Sequence, residues 1–200
     1  MPRKPATAPR AAPHQVRIIG GQWKRTRLDV ADRPGLRPTP DRVRETLFNW
    51  LGQDLTGWRC VDAFAGTGAL GLEAASRGAA DVLLLEADGG LVDQLRAVVA
   101  RLGAENVRVQ RGNAITVLPT LAPGSVDLVF LDPPYDANLF DKALAAARPA
   151  LASEGFVYLE APTAWTGEML ARHGLALVRH LKAGAVNGHL LRGLHNAAQQ

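Results

Sequence analysis

Residues 60–71 read Cys-Val-Asp-Ala-Phe-Ala-Gly-Thr-Gly-Ala-Leu-Gly. The apolar start of this stretch predicts a short strand, and Gly66, Gly68 and Gly71 follow it with the spacing G-x-G-x-x-G at the start of a predicted helix. Glycine is needed there because the backbone must approach a ligand without a Cβ in the way. The stretch therefore predicts a strand, a loop that binds a cofactor containing a nucleoside, and a helix.

Strands and helices alternate along the rest of the chain. After the glycine loop we predict helices at 69–76, 91–102 and 139–147, a short helix after Asn113, and strands at 82–86, 107–110, 126–131 and 156–160. Two final strands, 175–181 and 189–194, are separated by the segment 184–188, and so short a connection indicates an antiparallel hairpin. The alternation predicts an α/β fold with a doubly wound, mostly parallel sheet, in which ligands bind outside the carboxyl ends of the strands.

Polar side chains at the predicted strand ends favour one cofactor. Glu86 ends a strand twenty residues after Gly66, where an ionised carboxylate can accept both hydroxyl protons of a ribose. Asp62 can pair with the ammonium group of a methionine, or else accept hydrogen bonds from nearby backbone amides. Asn113 and Ala114 follow the next strand, where the amide can lie near an adenine ring or cap a helix. These residues fit S-adenosylmethionine better than NAD, because NAD has no ammonium group and a second nucleotide-binding half is not apparent.

The strand at 126–131 is followed by Asp132-Pro133-Pro134-Tyr135. Proline fixes φ and removes a backbone donor, so the turn is rigid and presents carbonyl oxygens outside any helix or sheet pairing. Together with the Asp132 carboxylate, these oxygens suit an exocyclic NH2 group on a planar base, whose nitrogen then attacks a sulfonium methyl group. Tyr135 can stack on that base, or serve only as packing at the rim. Asp132, Pro133 and Tyr135 are the candidate catalytic residues.

Positive charge is concentrated at the N-terminal end of the 200-residue chain. Residues 1–44 carry a balance of +8 and residues 45–200 a balance of −4, which together give the net charge of +4. Such a basic arm is typical of a protein that binds a polyanion.

We predict three segments: a disordered basic tail (1–15), a basic β-hairpin extension with a proline-rich linker (16–40), and the cofactor-binding domain (41–195). Asp41 is predicted to cap the first helix of that domain. The candidate contacts to nucleic acid are Arg17, Lys24, Arg25, Arg27 and Arg42.

Composition excludes several classes of protein. The single cysteine, Cys60, cannot form an intramolecular disulfide, and it lies in a predicted strand without a paired histidine that would make it a nucleophile. No apolar run approaches the roughly 18 to 20 residues that span a bilayer, and the basic N-terminus lacks the apolar segment of a secretory signal. We expect a monomer of the reducing cytoplasm that has no membrane segment and uses no metal.

With these motifs the chain resembles the class I S-adenosylmethionine-dependent methyltransferases that modify exocyclic amines. More narrowly, it resembles the bacterial RsmD-type family that methylates guanine N2 of 16S ribosomal RNA. Three blocks carry the resemblance: Arg-Ile-Ile-Gly-Gly-Gln-Trp (17–23) with Gly-Leu-Arg-Pro-Thr-Pro-Asp-Arg-Val-Arg-Glu-Thr-Leu-Phe-Asn-Trp-Leu (35–51), the segment 62–73, and the segment 132–135. The first block is the most specific to the family, since the other two occur in many amine methyltransferases. The chain departs from the family at 182–189, Lys-Ala-Gly-Ala-Val-Asn-Gly-His, where relatives tend to carry polar and aromatic residues after Lys-Ala-Gly.

The resemblance implies a Rossmann-like, seven-stranded sheet with a small N-terminal β-hairpin extension. It places the cofactor across the glycine loop, with Phe64 and Ala65 among its contacts. Guanine 966 of 16S rRNA, presented on a small-subunit particle, would be held by Asp132, the Pro133 carbonyl and Tyr135. Residues 36–51 would close over the cofactor while the basic hairpin grips the RNA.

Other functions remain open on the residues alone. Adenine N6 and a protein glutamine present the same planar NH2 group, so enzymes that methylate either would need the same turn. A non-catalytic RNA-binding module with a vestigial cofactor fold is a further alternative, but intact Asp132, Glu86 and Gly66 together count against it. A small NAD-dependent oxidoreductase is the last alternative. Asp62 argues against it, because NAD has no ammonium group with which Asp62 could pair.

Overall fold

A computed structural model describes residues 15–33, 38–135 and 139–194. Residues 1–14 of the predicted tail and 34–37 of the predicted linker lie outside the described residues, whereas Gln15, predicted as the last residue of the tail, is the first residue of a strand. The strands and α-helices, in chain order, are β1 (Gln15–Arg17), β2 (Arg27–Asp29), α1 (Asp41–Trp50), β3 (Arg59–Asp62), α2 (Ala69–Ser76), β4 (Asp81–Glu86), α3 (Gly89–Leu102), β5 (Val107–Arg111), α4 (Ala114–Val117), β6 (Val126–Leu131), α5 (Phe140–Ala147), β7 (Leu151–Ala161), α6 (Gly167–Ala171), β8 (Leu175–Ala183) and β9 (Val186–Gly193).

Seven of the strands form one sheet in the order β5-β4-β3-β6-β7-β9-β8. Neighbours from β5 to β7 are parallel, whereas β9 is antiparallel to both β7 and β8. From β3 the chain builds outward to β5 and then crosses back to β6 on the other side of β3, so the strand order reverses beside β3. The predicted doubly wound, mostly parallel sheet with a C-terminal antiparallel hairpin is confirmed.

Helices cover both faces of the sheet, because successive strand residues point to opposite sides. Val82 and Leu84 of β4 pack with α1, α2 and α3, while Leu83 and Leu85 pack with α4 and α5 on the other face. The residues of both apolar layers are buried, and close packing on both faces holds the carboxyl ends of the strands in fixed relative positions. Within the described ranges, none of the helices is both long and apolar enough to cross a membrane.

The N-terminal hairpin is present and is fastened to helix α2. β1 and β2 pair antiparallel, and their inward side chains Val16 and Leu28 are buried in the same core as α1 and α2. The backbone N–H of Gln22, in the connection between the strands, donates to the carbonyl oxygen of Ser76 at the end of α2 (2.8 Å). The hairpin therefore packs against the helix that follows the glycine loop.

Two local predictions are wrong. Asp41 does not cap α1: it is the first helical residue, and its carboxylate accepts hydrogen bonds from Arg17 (2.9 Å) and Arg44 (2.7 Å), which attract it more strongly than neutral backbone amides do. The last hairpin is also tighter than the predicted connection over 184–188. Only two residues separate β8 from β9, because Gly184 adopts a φ of +62° and turns the chain at once. Residues 186–189 therefore belong to β9.

Candidate active site

Four carboxylates lie along one edge of the sheet. Asp62 and Glu86 are the last residues of β3 and β4, Asp132 directly follows β6, and Glu160 is the second-to-last residue of β7. These four strands are parallel and adjacent, in the order β4-β3-β6-β7, so their carboxyl ends meet. An edge of this kind, beside the point where strand order reverses, is where ligands bind in doubly wound sheets.

The loop between β3 and α2 has the conformation that its glycines permit. Gly66 and Gly68 have φ angles of +52° and +78°, in the left-handed region that favours glycine. A Cβ on Gly71 would lie 2.2 Å from the Leu84 side chain and 3.0 Å from the Asp62 Cβ. Glycine at this position therefore allows α2 to pack directly against β3 and β4.

Asp62 lies beneath this loop and is buried, with 2% of its surface exposed. Its Oδ2 accepts the backbone N–H of Gly71 (2.9 Å), so the amide-capping role that the sequence left open is present. Burial raises the pKa of Asp62 to about 7; the hydrogen bonds from Gly71 and Phe64 oppose the shift, and the charge of Glu86 adds to it. A carboxyl with a pKa near neutrality is poised to ionise when a cation arrives beside it.

Glu86 lies on the other side of the same loop and is half-buried. One carboxylate oxygen accepts the N–H of Gly66 (2.9 Å) and the other accepts the N–H of Asp88 (2.8 Å). A carboxylate has about four lone-pair positions, so these two bonds orient the group without exhausting its capacity to accept. The orientation fits a ribose held between the glycine loop and the end of β4.

Asn113 caps helix α4, and its side chain accepts the N–H of Ile115 (2.9 Å). This confirms the helix-capping half of its two predicted roles. Ala114, the first residue of that helix, is buried, whereas Phe64 is half-buried and packs against the core on the same face of the sheet. These residues lie beyond the carboxyl ends of β3 and β5.

The Asp-Pro-Pro-Tyr turn lies at the end of β6 as predicted. Asp132 and Tyr135 are half-buried, Pro133 is buried, and Pro134 is exposed. The ring of Tyr135 packs against Phe140, with 6.2 Å between the ring centroids. Residues 136–138, which follow the turn, lie outside the described residues.

Glu160 is a site residue that the sequence analysis missed. Its Oε2 accepts hydrogen bonds from the hydroxyl of Thr39 (3.0 Å) and the phenol of Tyr158 (3.3 Å), and all three residues are buried. Burial raises the pKa of Tyr158 well above its ordinary value, and the charges of Glu160 and Asp132 add to the shift. Glu160 thus joins the start of the α1 segment to the strand beside Asp132. The predicted strand 156–160 ends at Glu160, and that position is the signal that could have identified it.

A buried ion pair between Arg44 and Glu73 was also missed. Both side chains are fully buried and lie 3.3 Å apart. Glu73 further accepts the backbone N–H groups of Ile19 (2.7 Å) and Gly20 (2.8 Å), and Arg77 pairs with it as well. Burial lowers the pKa of Arg44, against the opposing charges of Glu73 and Asp41. One carboxylate therefore holds the hairpin, α1 and α2 together behind the site.

The five predicted nucleic-acid contacts are all exposed: Arg17, Lys24, Arg25, Arg27 and Arg42. Lys24 and Arg25 lie in the turn between β1 and β2, and Arg17 and Arg27 are paired positions on the two strands. Arg17 is also bound to Asp41 (2.9 Å), so part of its charge is already neutralised. The hairpin presents Lys24, Arg25 and Arg27 to solvent, and α1 presents Arg42.

The groups along this edge fit the parts of S-adenosylmethionine. An ionisable carboxyl matches the ammonium group, an oriented carboxylate matches the ribose, and the left-handed glycines leave room for close approach of the backbone. In the part of the chain that the structure describes, no group of three or more His, Cys, Asp or Glu side chains is placed to hold a metal ion. Cys60 is buried in β3, and burial raises the pKa of its thiol, so it stays protonated.

The fold and this strand edge define a class I methyltransferase. A solved structure of the Escherichia coli protein yhhF superposes with a TM-score of 0.78 at 41% sequence identity, over 91% of this chain and 99% of that one. A solved structure from Haemophilus influenzae gives a TM-score of 0.74 at 33% identity, over 90% of this chain and 99% of that one.

Sequence comparison identifies the family. The family model described as Conserved hypothetical protein 95 matches residues 16–192. Ribosomal RNA small subunit methyltransferase D of Escherichia coli strain K12 is 47% identical over 148 residues, which are 73% of this chain and 74% of that protein. The protein of the same name from Haemophilus influenzae is 43% identical over 135 residues, 66% of this chain and 69% of that protein. The chain belongs to the ribosomal RNA small subunit methyltransferase D family, as its sequence motifs predict.

Proposed function

We propose that this chain transfers a methyl group from S-adenosylmethionine to the exocyclic N2 amine of guanine 966 in 16S ribosomal RNA. The observation that carries the proposal is the juxtaposition of the glycine loop after β3 and the Asp-Pro-Pro-Tyr turn after β6, on adjacent parallel strands. Membership of a family whose relatives are named as small-subunit rRNA methyltransferases supports RNA as the substrate.

Each proposed cofactor-binding residue is assigned to one part of the cofactor. Asp62 would face the ammonium group and Glu86 the ribose hydroxyls, while Asn113 and Ala114 border the adenine. Phe64, Ala65, Gly66 and Gly68 form the loop that the cofactor crosses. When bound, S-adenosylmethionine supplies an electrophilic methyl group on a positively charged sulfur.

The turn after β6 is proposed to hold the methyl acceptor. The Asp132 carboxylate and the Pro133 carbonyl would accept hydrogen bonds from the two N–H groups of the NH2, which would direct the nitrogen lone pair toward the methyl group. As the bond from nitrogen to the methyl carbon forms, the bond from that carbon to sulfur would break, and the proton that nitrogen then loses would leave through the Asp132 carboxylate. Asp132 also stabilises the positive charge that develops on nitrogen, and Tyr135 stacks on the base. Orientation of the two reactants supplies much of the remaining rate.

The proposed RNA contacts follow from the concentration of positive charge in the N-terminal segment. Arg17, Lys24, Arg25, Arg27 and Arg42 would neutralise phosphates and so position the substrate, without reading its sequence. We further propose that the substrate is a small-subunit particle and that the protein acts as a monomer in the cytoplasm.

Substitution of Asp132 tests the catalytic half of the proposal. Asp132→Asn keeps the size of the side chain but removes its charge, and loss of one preorganised stabilising group lowers transfer by about 100-fold to 1,000-fold. Binding of S-adenosylhomocysteine, measured by calorimetry, should stay within about threefold of the unsubstituted protein, since Asp132 lies on a different strand from the cofactor loop. Full methyl transfer by Asp132→Asn would contradict the assignment.

A further inference from the structure

The loop that follows β7, residues 162–166, is held at two points by the C-terminal hairpin. The backbone N–H of Trp165 donates to Nε2 of His189 (3.0 Å), and the carbonyl oxygen of Pro162 accepts from the amide of Asn187 (3.0 Å). His189 is fully buried and Asn187 is 4% exposed. Both residues lie in β9.

The hydrogen bonds of His189 fix its protonation state. Nε2 meets a backbone N–H, which only donates, so Nε2 accepts. Nδ1 lies 3.2 Å from the carbonyl oxygen of Leu159, which only accepts, so Nδ1 carries the proton. Burial lowers the pKa of His189 and favours the same neutral form. The imidazole therefore bridges the end of β7 and the loop beyond it.

A second imidazole supports this bridge. The ring of His180 packs on the ring of His189, with 4.8 Å between centroids, and its Nε2 lies 3.2 Å from Oδ1 of Asn187. His180 and His189 are directly paired between β8 and β9. Asn187 is thus held by the hairpin on one side while it binds Pro162 on the other.

Trp165 connects the loop to the turn that would hold the methyl acceptor. Its indole packs against Phe140 (6.2 Å between centroids), and Phe140 packs against Tyr135 at the same distance. Because β6 and β7 are parallel neighbours, the loop after β7 lies at the same edge as the Asp-Pro-Pro-Tyr turn. A shift of the loop displaces the aromatic rings that lie behind Tyr135.

We propose that His189 and Asn187 are positioning residues for the methyl acceptor, which act by holding loop 162–166 so that Trp165 and Phe140 keep Tyr135 in place to stack on the target base. The role in catalysis rests on the proposed function, whereas the hold on the loop rests on the hydrogen bonds alone. A misplacement of about 1 Å in a reacting group lowers rate by about 100-fold, so a small loop shift is enough to matter.

The test uses variants of the full chain. His189→Leu removes the acceptor for the Trp165 N–H, while His189→Gln restores a side-chain oxygen that can accept it. Val157→Ala, which shortens a buried apolar side chain of β7 and leaves both hydrogen bonds to the loop in place, is the control for lost stability. We expect kcat for RNA to fall about 10-fold to 100-fold in His189→Leu, to stay within about threefold in His189→Gln and Val157→Ala, and S-adenosylhomocysteine affinity to be unchanged in all three.

Hydrogen exchange of the Trp165 amide gives a readout that does not depend on activity. Exchange should be slow in the unsubstituted protein and in His189→Gln, and fast in His189→Leu. Should His189→Leu fail to fold, Asn187→Ala replaces it. This variant releases the Pro162 end of the loop and leaves the bond from Trp165 to His189 in place, so its readout is kcat and not the exchange of the Trp165 amide.

Two results overturn the inference: protection of the Trp165 amide in His189→Leu equal to that in the unsubstituted protein, or a kcat for His189→Leu, or for Asn187→Ala in its place, equal to that of Val157→Ala. Absence of guanine methylation by the unsubstituted protein refutes the proposed function instead, and the amide exchange then decides whether the hairpin holds the loop.

Discussion

The affinity for the cofactor should depend on pH through Asp62. This carboxyl is buried under the glycine loop, and its pKa is raised to about 7. If the ammonium group of the cofactor binds only the ionised form, binding at low pH must first remove a proton from Asp62. The perturbations to apply are therefore a pH change from 8 to 6 and the substitution Asp62→Asn.

The magnitude follows from the ionised fraction. With a pKa of about 7, Asp62 is roughly nine-tenths ionised at pH 8 and roughly one-tenth ionised at pH 6, so the apparent Kd should rise about tenfold, or ~1.4 kcal/mol, over that range. At pH 7 about half of the molecules release a proton on binding. Folding stability of the free protein changes with pH in the opposite direction to cofactor affinity. Because the folded pKa of Asp62 lies above the unfolded value of 3.8, the contribution of Asp62 to stability is fully present below pH 3.8 and is lost as pH rises through about 7.

Calorimetric titration with S-adenosylhomocysteine, which carries the same ammonium group, measures both quantities. Repeating the titration at pH 7 in two buffers that differ in ionisation enthalpy gives the number of protons released. Asp62→Asn should bind more weakly at pH 8 and show no dependence on pH between 6 and 8. A flat affinity in the unsubstituted protein, or an unchanged pH dependence in Asp62→Asn, would refute the reasoning.

Two further predictions concern the hairpin. Glu73→Gln removes the buried carboxylate that pairs with both Arg44 and Arg77 and leaves Arg44 only the half-buried Asp41, so the free energy of unfolding measured in urea should fall by about 3–5 kcal/mol, and a fall below about 1 kcal/mol would contradict a structural role for the pair. Lys24→Ala with Arg25→Ala removes two exposed cations, so RNA affinity should fall and the slope of log K against log salt should flatten by about 1.4 to 1.8, as filter binding at several salt concentrations would measure. An unchanged slope would show that the hairpin turn does not contact phosphates.

Local patterns predicted most of the fold and much of the candidate site. Glu86 is the last residue of a predicted strand, the glycine loop and the Asp-Pro-Pro-Tyr turn each follow one directly, and parallel pairing then brings them together without further information. Alternation of strands and helices is enough to predict that pairing, because right-handed crossovers leave few arrangements for the chain.

Contacts between distant segments were not predictable in the same way. Thr39 and Glu160 are 121 residues apart, and neither lies in a motif that names the other as its partner. Arg44 stands in an amphipathic helix, where an arginine ordinarily faces solvent, and only the packed hairpin encloses it against Glu73. Asp41 resembled a helix cap for a similar reason, since the pattern contains no sign of the guanidinium groups that attract its carboxylate.

The residues of the last hairpin show a third case. The sequence 182–189 contains a glycine at 184 and another at 188, and the pattern alone does not distinguish which of them turns the chain. Gly184 makes the turn, and residue 188 is paired within β9. The residues 186–188 therefore extend β9 instead of forming the connection, and His189 is buried beside Trp165.

The identity of the methylated nucleoside tests the central claim most directly. The protein is incubated with tritiated S-adenosylmethionine and 16S rRNA, both naked and in assembled small subunits, and the RNA is digested to nucleosides and separated. We predict label in N2-methylguanosine, formed about 100-fold to 1,000-fold more slowly when Asp132→Asn replaces the unsubstituted protein. Label in N6-methyladenosine, or label in N2-methylguanosine formed at an unchanged rate by Asp132→Asn, would contradict it.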